Sequence, residues 1–168
     1  MIKKVYLAGG CFWGIEAFFA QLDGVIDVVS GYANSKVKNP TYYEVKSHVT
    51  DAVEAVEIKY DSTVISLTKI FDYLFKIIDV TAVNHQGGDF GSQYRTGIYY
   101  LDDEVRSLAT SKIKELQKNY KEKVALEVVP LANFFLAEDY HQDYIEKNTD
   151  GYCHINLHQV DHKDKKIE

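Results

Sequence analysis

The 168-residue chain has two cysteines, one methionine and one tryptophan, and it has no excess of positive charge. Two cysteines without a Cys-x-x-Cys pair argue against both a disulfide framework and a zinc ribbon, and point instead to catalytic, redox-active or inert thiols. A net charge of −6 leaves no basic surface of the kind that neutralises nucleic-acid phosphates or anionic lipid, so no nucleic-acid partner is expected. Long apolar runs are also missing. The stretch Val5 to Ala8 behind Lys3 and Lys4 is too short for a signal-peptide core or a membrane span, so a cytoplasmic protein with no membrane partner is expected. There is no internal repeat and no low-complexity linker. Hydrophobic residues make up 46% and charged residues 26%, an ordinary globular balance, and the length suits one domain over 1–168.

The pattern alternates between strand and helix. Lys3 to Ala8 reads as a buried strand. Phe12, Ile15, Phe18, Phe19 and Leu22 then recur at helical spacing up to Gly24. Val25 to Ser30 is a β-branched strand run, and Gly31 to Thr41 a loop long enough to line a site. Val53 to Tyr60 alternates, with Glu54 in phase with Val56, Ile58 and Tyr60. Leu67 to Ile78 is a second helix, followed by a glycine-bearing loop from Asn84 to Gln93 and a strand from Thr96 to Leu101. Asp102 caps a third helix running to about Lys121, and Val124 to Val129 is the next strand. Ala137 to Lys147 reads as one last short helix, and the charged tail 161–168 is expected to fray. This order fits an α+β fold, a two-layer sandwich with a ferredoxin-like core and a C-terminal extension.

Chemistry concentrates at Gly9-Gly10-Cys11-Phe12-Trp13-Gly14. A thiol between a strand and the first turn of a helix meets unpaired N–H groups and the positive end of the helix dipole, which favour a thiolate. Flanking glycines let another molecule approach, and Phe12 and Trp13 offer an apolar wall. A buried inert cysteine is the alternative reading. Glu54, placed on an apolar strand face, is desolvated and so becomes a proton donor near neutral pH; the competing reading is a solvent-exposed glutamate at a strand end. Cys153 follows a turn close to the C-terminus, where a thiol can condense with a sulfenic acid formed elsewhere. Cys153, His154, His158 and His162 could also be read as metal ligands, but a closed four-ligand site in a charged tail is disfavoured, and no metal is expected. His85 and His141 read as ordinary polar packing or as support for a pocket.

The run Gly10-Cys11-Phe12-Trp13-Gly14 resembles the nucleophile motif of the peptide methionine sulfoxide reductase A family. Further segments resemble the family in the same order: Asn39-Pro40-Thr41-Tyr42, Glu54-Ala55-Val56, Gln86-Gly87-Gly88-Asp89-Phe90-Gly91-Ser92-Gln93-Tyr94-Arg95, and Ala137-Glu138-Asp139-Tyr140-His141-Gln142. The resemblance implies Cys11 as nucleophile, Phe12 and Trp13 as the pocket for the sulfoxide methyl group, and Glu54 as the acid. Tyr42 and Tyr94 would bind the oxygen, Asp89 would order the site, and Cys153 would be the recycling thiol. It further implies reduction of methionine S-sulfoxide, free or in oxidised proteins, with thioredoxin or another dithiol as reductant and no cofactor. A monomer is expected. Where the family carries Gly-His, this chain has Asp51-Ala52, so any contact of that histidine is lost. Two rival functions remain at this point: a thiol peroxidase, and a non-catalytic module that recognises methionine through Trp13.

Overall fold

The computed structural model describes residues 1–148 and 155–167. Among these, five α-helices accompany a mixed six-stranded sheet whose strand order is β7-β6-β1-β3-β2-β8. The central strands are β1 (Ile2–Gly9) and β3 (Val53–Asp61), which pair antiparallel with Leu7 opposite Val56. On their flanks lie β2 (Val25–Ala33), antiparallel to β3, and β6 (Thr96–Tyr100), antiparallel to β1. The outer strands are β7 (Glu127–Pro130), parallel to β6, and β8 (Phe134–Leu136), antiparallel to β2.

The helices α1 (Phe12–Phe19), α3 (Leu67–Ile77) and α4 (Asp103–Gln117) follow the periodicities seen in the sequence. Phe12, Ile15, Phe18 and Phe19 of α1 join Val5, Leu7, Val56, Ile58, Ile70, Phe71 and Leu74 in the main core. Asp102 caps α4, its side chain accepting from the Val105 N–H at 3.0 Å, as the sequence predicts. The other sheet face carries a second, smaller cluster of Tyr6, Ala8, Ala33, Val53, Ala55 and Tyr99. β3 is therefore covered on both faces around Glu54, beyond what simple alternation implies.

Four readings of local structure need correcting. β2 runs on to Ala33 through what reads as loop, because Gly31, Tyr32 and Ala33 are paired on one side by β3 and on the other by β8. Gly31 permits the second pairing: a Cβ there would lie 2.6 Å from the Phe135 carbonyl oxygen. Just beyond that loop, in a stretch to which the sequence assigns no element, a short helix α2 (Tyr42–Lys46) is set by a Thr41–Glu44 capping box. β7 begins at Glu127 rather than Val124, since the parallel pairing with β6 starts there. The segment read as one helix from Ala137 to Lys147 is a 3-10 turn at Asp139–His141 and a separate one-turn helix α5 (Tyr144–Lys147). Asp143 breaks them apart in a left-handed conformation, φ 54.

The tail, expected to fray, is tied down across its described residues. Leu22 bridges Lys165, Asp23 N–H donates to the Asp164 carbonyl at 2.8 Å, and the Asp164 carboxylate meets Lys69 Nζ and Tyr73 Oη, each at 2.7 Å. The charge that reads as solvated has specific partners on α3. No helix among the described residues is long and apolar enough to cross a membrane.

Candidate active site

Gly10 takes φ 91, a left-handed turn that suits glycine, and so swings the end of β1 into the start of α1. Cys11 is the residue just before the first helical position of α1 and is 8% exposed. Its own side chain makes no capping hydrogen bond to α1. The first orphan donor of the helix goes elsewhere. Phe12 N–H donates to Glu54 Oε1 at 3.2 Å.

Glu54 reaches that N–H because β3 aims it to the same side as Val56 and Ile58, and it is 1% exposed. Burial pushes its carboxyl up to about 8; the Phe12 N–H opposes the rise and the charge of Asp89 adds to it. A carboxyl held at that level is protonated at neutral pH and is able to donate.

Tyr42 lies at the first turn of α2 and Tyr94 closes a 3-10 turn, Ser92–Tyr94. The two hydroxyls come together around Cys11 and Glu54. Tyr42 is raised by burial first and then by Glu54, with Tyr94 opposing and Cys11 and Asp89 adding. Tyr94 is raised by burial, Glu54, Tyr42, Cys11 and Asp89 in that order. Both phenols therefore keep their protons and present O–H donors. Asp89 stands on the small hairpin of β4 (His85–Gln86) and β5 (Asp89–Phe90), beside the same cluster. Arg95 secures the turn that carries Tyr94, donating to Glu127 at 2.8 Å, to the Ser92 carbonyl at 2.9 Å and to the Asp51 carbonyl at 3.0 Å.

Phe12 and Trp13 differ in setting. Phe12 is fully buried against Tyr32 and His141. Trp13 is partly exposed. Its indole N–H donates to His141 Nδ1 at 2.9 Å, and its ring stacks on Tyr144 with centroids 3.7 Å apart. That bond makes Nδ1 an acceptor, so His141 is neutral with its proton on Nε2; burial lowers its pKa, opposed by Glu138.

Seven of the eight sequence-derived site residues fall within the described structure: Cys11, Phe12, Trp13, Tyr42, Glu54, Asp89 and Tyr94. Cys153 lies outside the described residues, as does His154. Ala52 is buried in the core, its N–H held by Thr50 Oγ1 at 3.1 Å. His85 stacks on Phe90.

Two supporting residues, Glu138 and Tyr32, escape a reading of single positions, while His141 takes the pocket-supporting place the sequence allows it. Glu138 accepts from Tyr32 Oη at 2.9 Å, from the Tyr42 N–H at 3.1 Å and from Tyr140 Oη at 3.2 Å, joining β2 and α2 to the C-terminal segment. Burial would raise its carboxyl, but these hydrogen bonds and its own N–H keep it below the ordinary range. Tyr32 and His141 complete the wall behind Phe12 and Trp13. The segment 137–142 is the signal that flags Glu138 and His141, though nothing local assigns their partners, and no local signal marks Tyr32.

A buried thiol, a protonated carboxyl and two phenol donors around one point form a site for protonating an oxygen while a sulfur attacks. The family model described as "Peptide methionine sulfoxide reductase" matches residues 3–168. The "Peptide methionine sulfoxide reductase MsrA" of Malacoplasma penetrans is 56% identical over 157 residues, covering 94% of this chain and 98% of the relative. Among solved structures, reduced Mxr1 from Saccharomyces cerevisiae superimposes with a TM-score of 0.84 at 37% identity, covering 90% of this chain and 88% of that one. Mxr1 in complex with Trx2 matches with a TM-score of 0.59 at 27% identity, over 85% of this chain and 84% of that chain. The thiol at the start of α1 and the acid buried behind it thus stand in a chain that belongs to the peptide methionine sulfoxide reductase family.

Proposed function

We propose that this enzyme reduces the S epimer of methionine sulfoxide, free and in oxidised proteins, with Cys11 as nucleophile and Glu54 as general acid. The Cys11 thiolate attacks the sulfoxide sulfur while Glu54 gives its proton to the oxygen. The oxygen ends on Cys11 as a sulfenic acid, and methionine leaves with its sulfur reduced by two electrons. Tyr42 and Tyr94 hold the oxygen through their O–H groups, Asp89 orders the site, and Phe12 and Trp13 receive the methyl group. Placing methyl and oxygen in chemically different surroundings selects one epimer. The Cys153 thiol then displaces water from the sulfenic acid to form a Cys11–Cys153 disulfide, and a dithiol exchanges with that disulfide.

Thioredoxin is the dithiol we assign, supported by the structural match to Mxr1 bound to Trx2. No metal or organic cofactor enters this scheme. We read residues 1–168 as one catalytic domain, acting as a cytoplasmic monomer. The ferredoxin-like description of its core is supported by the β6-β1-β3-β2 order with all three pairings antiparallel.

The observation that carries the reading is Glu54, buried, pushed up to about 8 and hydrogen-bonded to the residue after the thiol. Its test is a thioredoxin-coupled assay on resolved S and R sulfoxides, with disulfide mapping of the oxidised enzyme. Turnover of the S epimer alone, with a Cys11–Cys153 disulfide, is expected. Cys153→Ser should still reduce one equivalent of sulfoxide but stop there; normal cycling of that variant with thioredoxin would refute the relay. A thiol peroxidase would instead consume peroxide and leave sulfoxide untouched.

A further inference from the structure

The reaction leaves one buried acid of α1 without a task. Glu16 lies one turn beyond Phe12 and is 2% exposed, on a helix whose other buried side chains are apolar. A carboxyl so placed costs several kcal/mol unless something offsets its desolvation, and alanine or leucine would serve α1 better as packing. Burial pushes Glu16 up to about 7, opposed by the Asp143 N–H and by Ser30, with Asp143 and Asp27 adding to the rise. Among the described residues its Oε2 is buried without a hydrogen-bond partner, while Oε1 accepts from the Asp143 N–H at 2.6 Å.

That one short bond lands on an unusual residue. Asp143 is left-handed, φ 54, a conformation that is unfavourable for a non-glycine residue and persists where the surroundings hold it. It is also the residue before α5, whose first residue, Tyr144, lies flat on Trp13 with an interplanar angle of 11°. On the other side of Asp143, Gln142 is clamped to β2, exchanging hydrogen bonds with the Ser30 N–H and carbonyl at 2.9 and 2.8 Å. The Gln142 clamp fixes where the segment crosses the sheet. The direction in which it then turns depends on Asp143.

We propose that Glu16 is a positioning residue for the substrate pocket: by accepting the Asp143 N–H it fixes the left-handed turn that lays Tyr144 on Trp13, and so sets the indole face offered to the sulfoxide methyl group. The last clause rests on the assignment of Trp13 to the methyl pocket; the control of Trp13 by Glu16 does not. Acceptance at Oε1 needs an oxygen and no charge. Glutamine in place of Glu16 keeps that oxygen, and alanine removes it.

Trp13 is the only tryptophan in the chain, so fluorescence excited at the red edge, where the 13 tyrosines do not absorb, reports on this one ring. Glu16→Ala should shift its emission and expose it to acrylamide quenching, and should raise KM for methionine sulfoxide about tenfold with kcat within about twofold, the pattern of lost uniform binding. Glu16→Gln should match the wild type in all three. Tyr144→Leu should reproduce the optical change, and the Glu16→Ala/Tyr144→Leu double variant should add nothing to it, as two members of one pathway require. Wild-type emission and quenching in Glu16→Ala would overturn the proposal, as would an equal disturbance in Glu16→Gln. An optical change with unaltered KM would overturn the link to the pocket. Should the wild type itself leave sulfoxide unreduced, the functional reading fails, and the optical measurements alone then decide whether Glu16 sets Trp13.

Discussion

Two carboxyls, Glu54 in the core and Asp164 in the tail, have been given opposite surroundings. Asp164 in the tail receives Lys69 and Tyr73, whose hydrogen bonds hold it below its ordinary value of 3.8 against the opposing effect of burial. Among the described residues Glu54 receives a backbone N–H and the repulsion of Asp89, and burial carries it far upward. A paired charge ties one segment to another. An acid without a cation is held neutral, which is the state that gives up a proton.

The sharpest way to break this contrast is at the thiol that uses the proton. Cys11→Ser should abolish sulfoxide turnover in the coupled assay while leaving the denaturation midpoint nearly unmoved. Next comes Glu54→Gln, expected to lower kcat by roughly 10²–10⁴. Wild-type kcat should itself fall as pH rises through about 8, and the glutamine variant should lose that limb of the profile. The stability consequence has a definite sign. Glu54 is raised in the folded state from 4.5 to about 8, so wild-type stability falls between those values, and Glu54→Gln should gain on the wild type in urea as pH goes from 5 to 9.

Of smaller size, Tyr94→Phe should lower kcat by about tenfold, since one hydroxyl donor to the oxygen is lost while Tyr42 remains. Smallest is the tail. Asp164→Asn should cost about 1 kcal/mol in urea denaturation and leave the first sulfoxide turnover unchanged. Asp164 is depressed in the folded state, so its contribution is present above 3.8 and lost as pH falls through the lower folded value; the variant and wild type should converge in acid. A tail variant that lost turnover as severely as Glu54→Gln would erase the distinction between the two carboxyls.

What the sequence makes legible follows the same division. Glu54 is readable because the period of a strand is local: its phase with Val56 and Ile58 already implies burial. Asp102 is readable as a cap for the same reason. The helix expected over 137–147 fails at Asp143, whose conformation is held by Glu16 127 positions earlier. The docked tail is missed because Asp164 finds Lys69 95 positions away, and acidic residues near a terminus otherwise belong in water. Tyr32 and Glu138 meet across 106 positions. Residues whose chemistry depends on their own element are visible, and those defined by a distant partner are not.

The hydrogen bond from Phe12 to Glu54 bears on the moment after protonation. In the proposed reaction Glu54, on giving up its proton, becomes a buried anion beside Asp89, and the first N–H of α1 already points at it. The helix start that favours a thiolate at Cys11 before the reaction then serves as the counter-pole for the carboxylate after it. In that scheme the oxygen-transfer step passes negative charge from Cys11 to Glu54, beside a helix start that already faces the carboxylate.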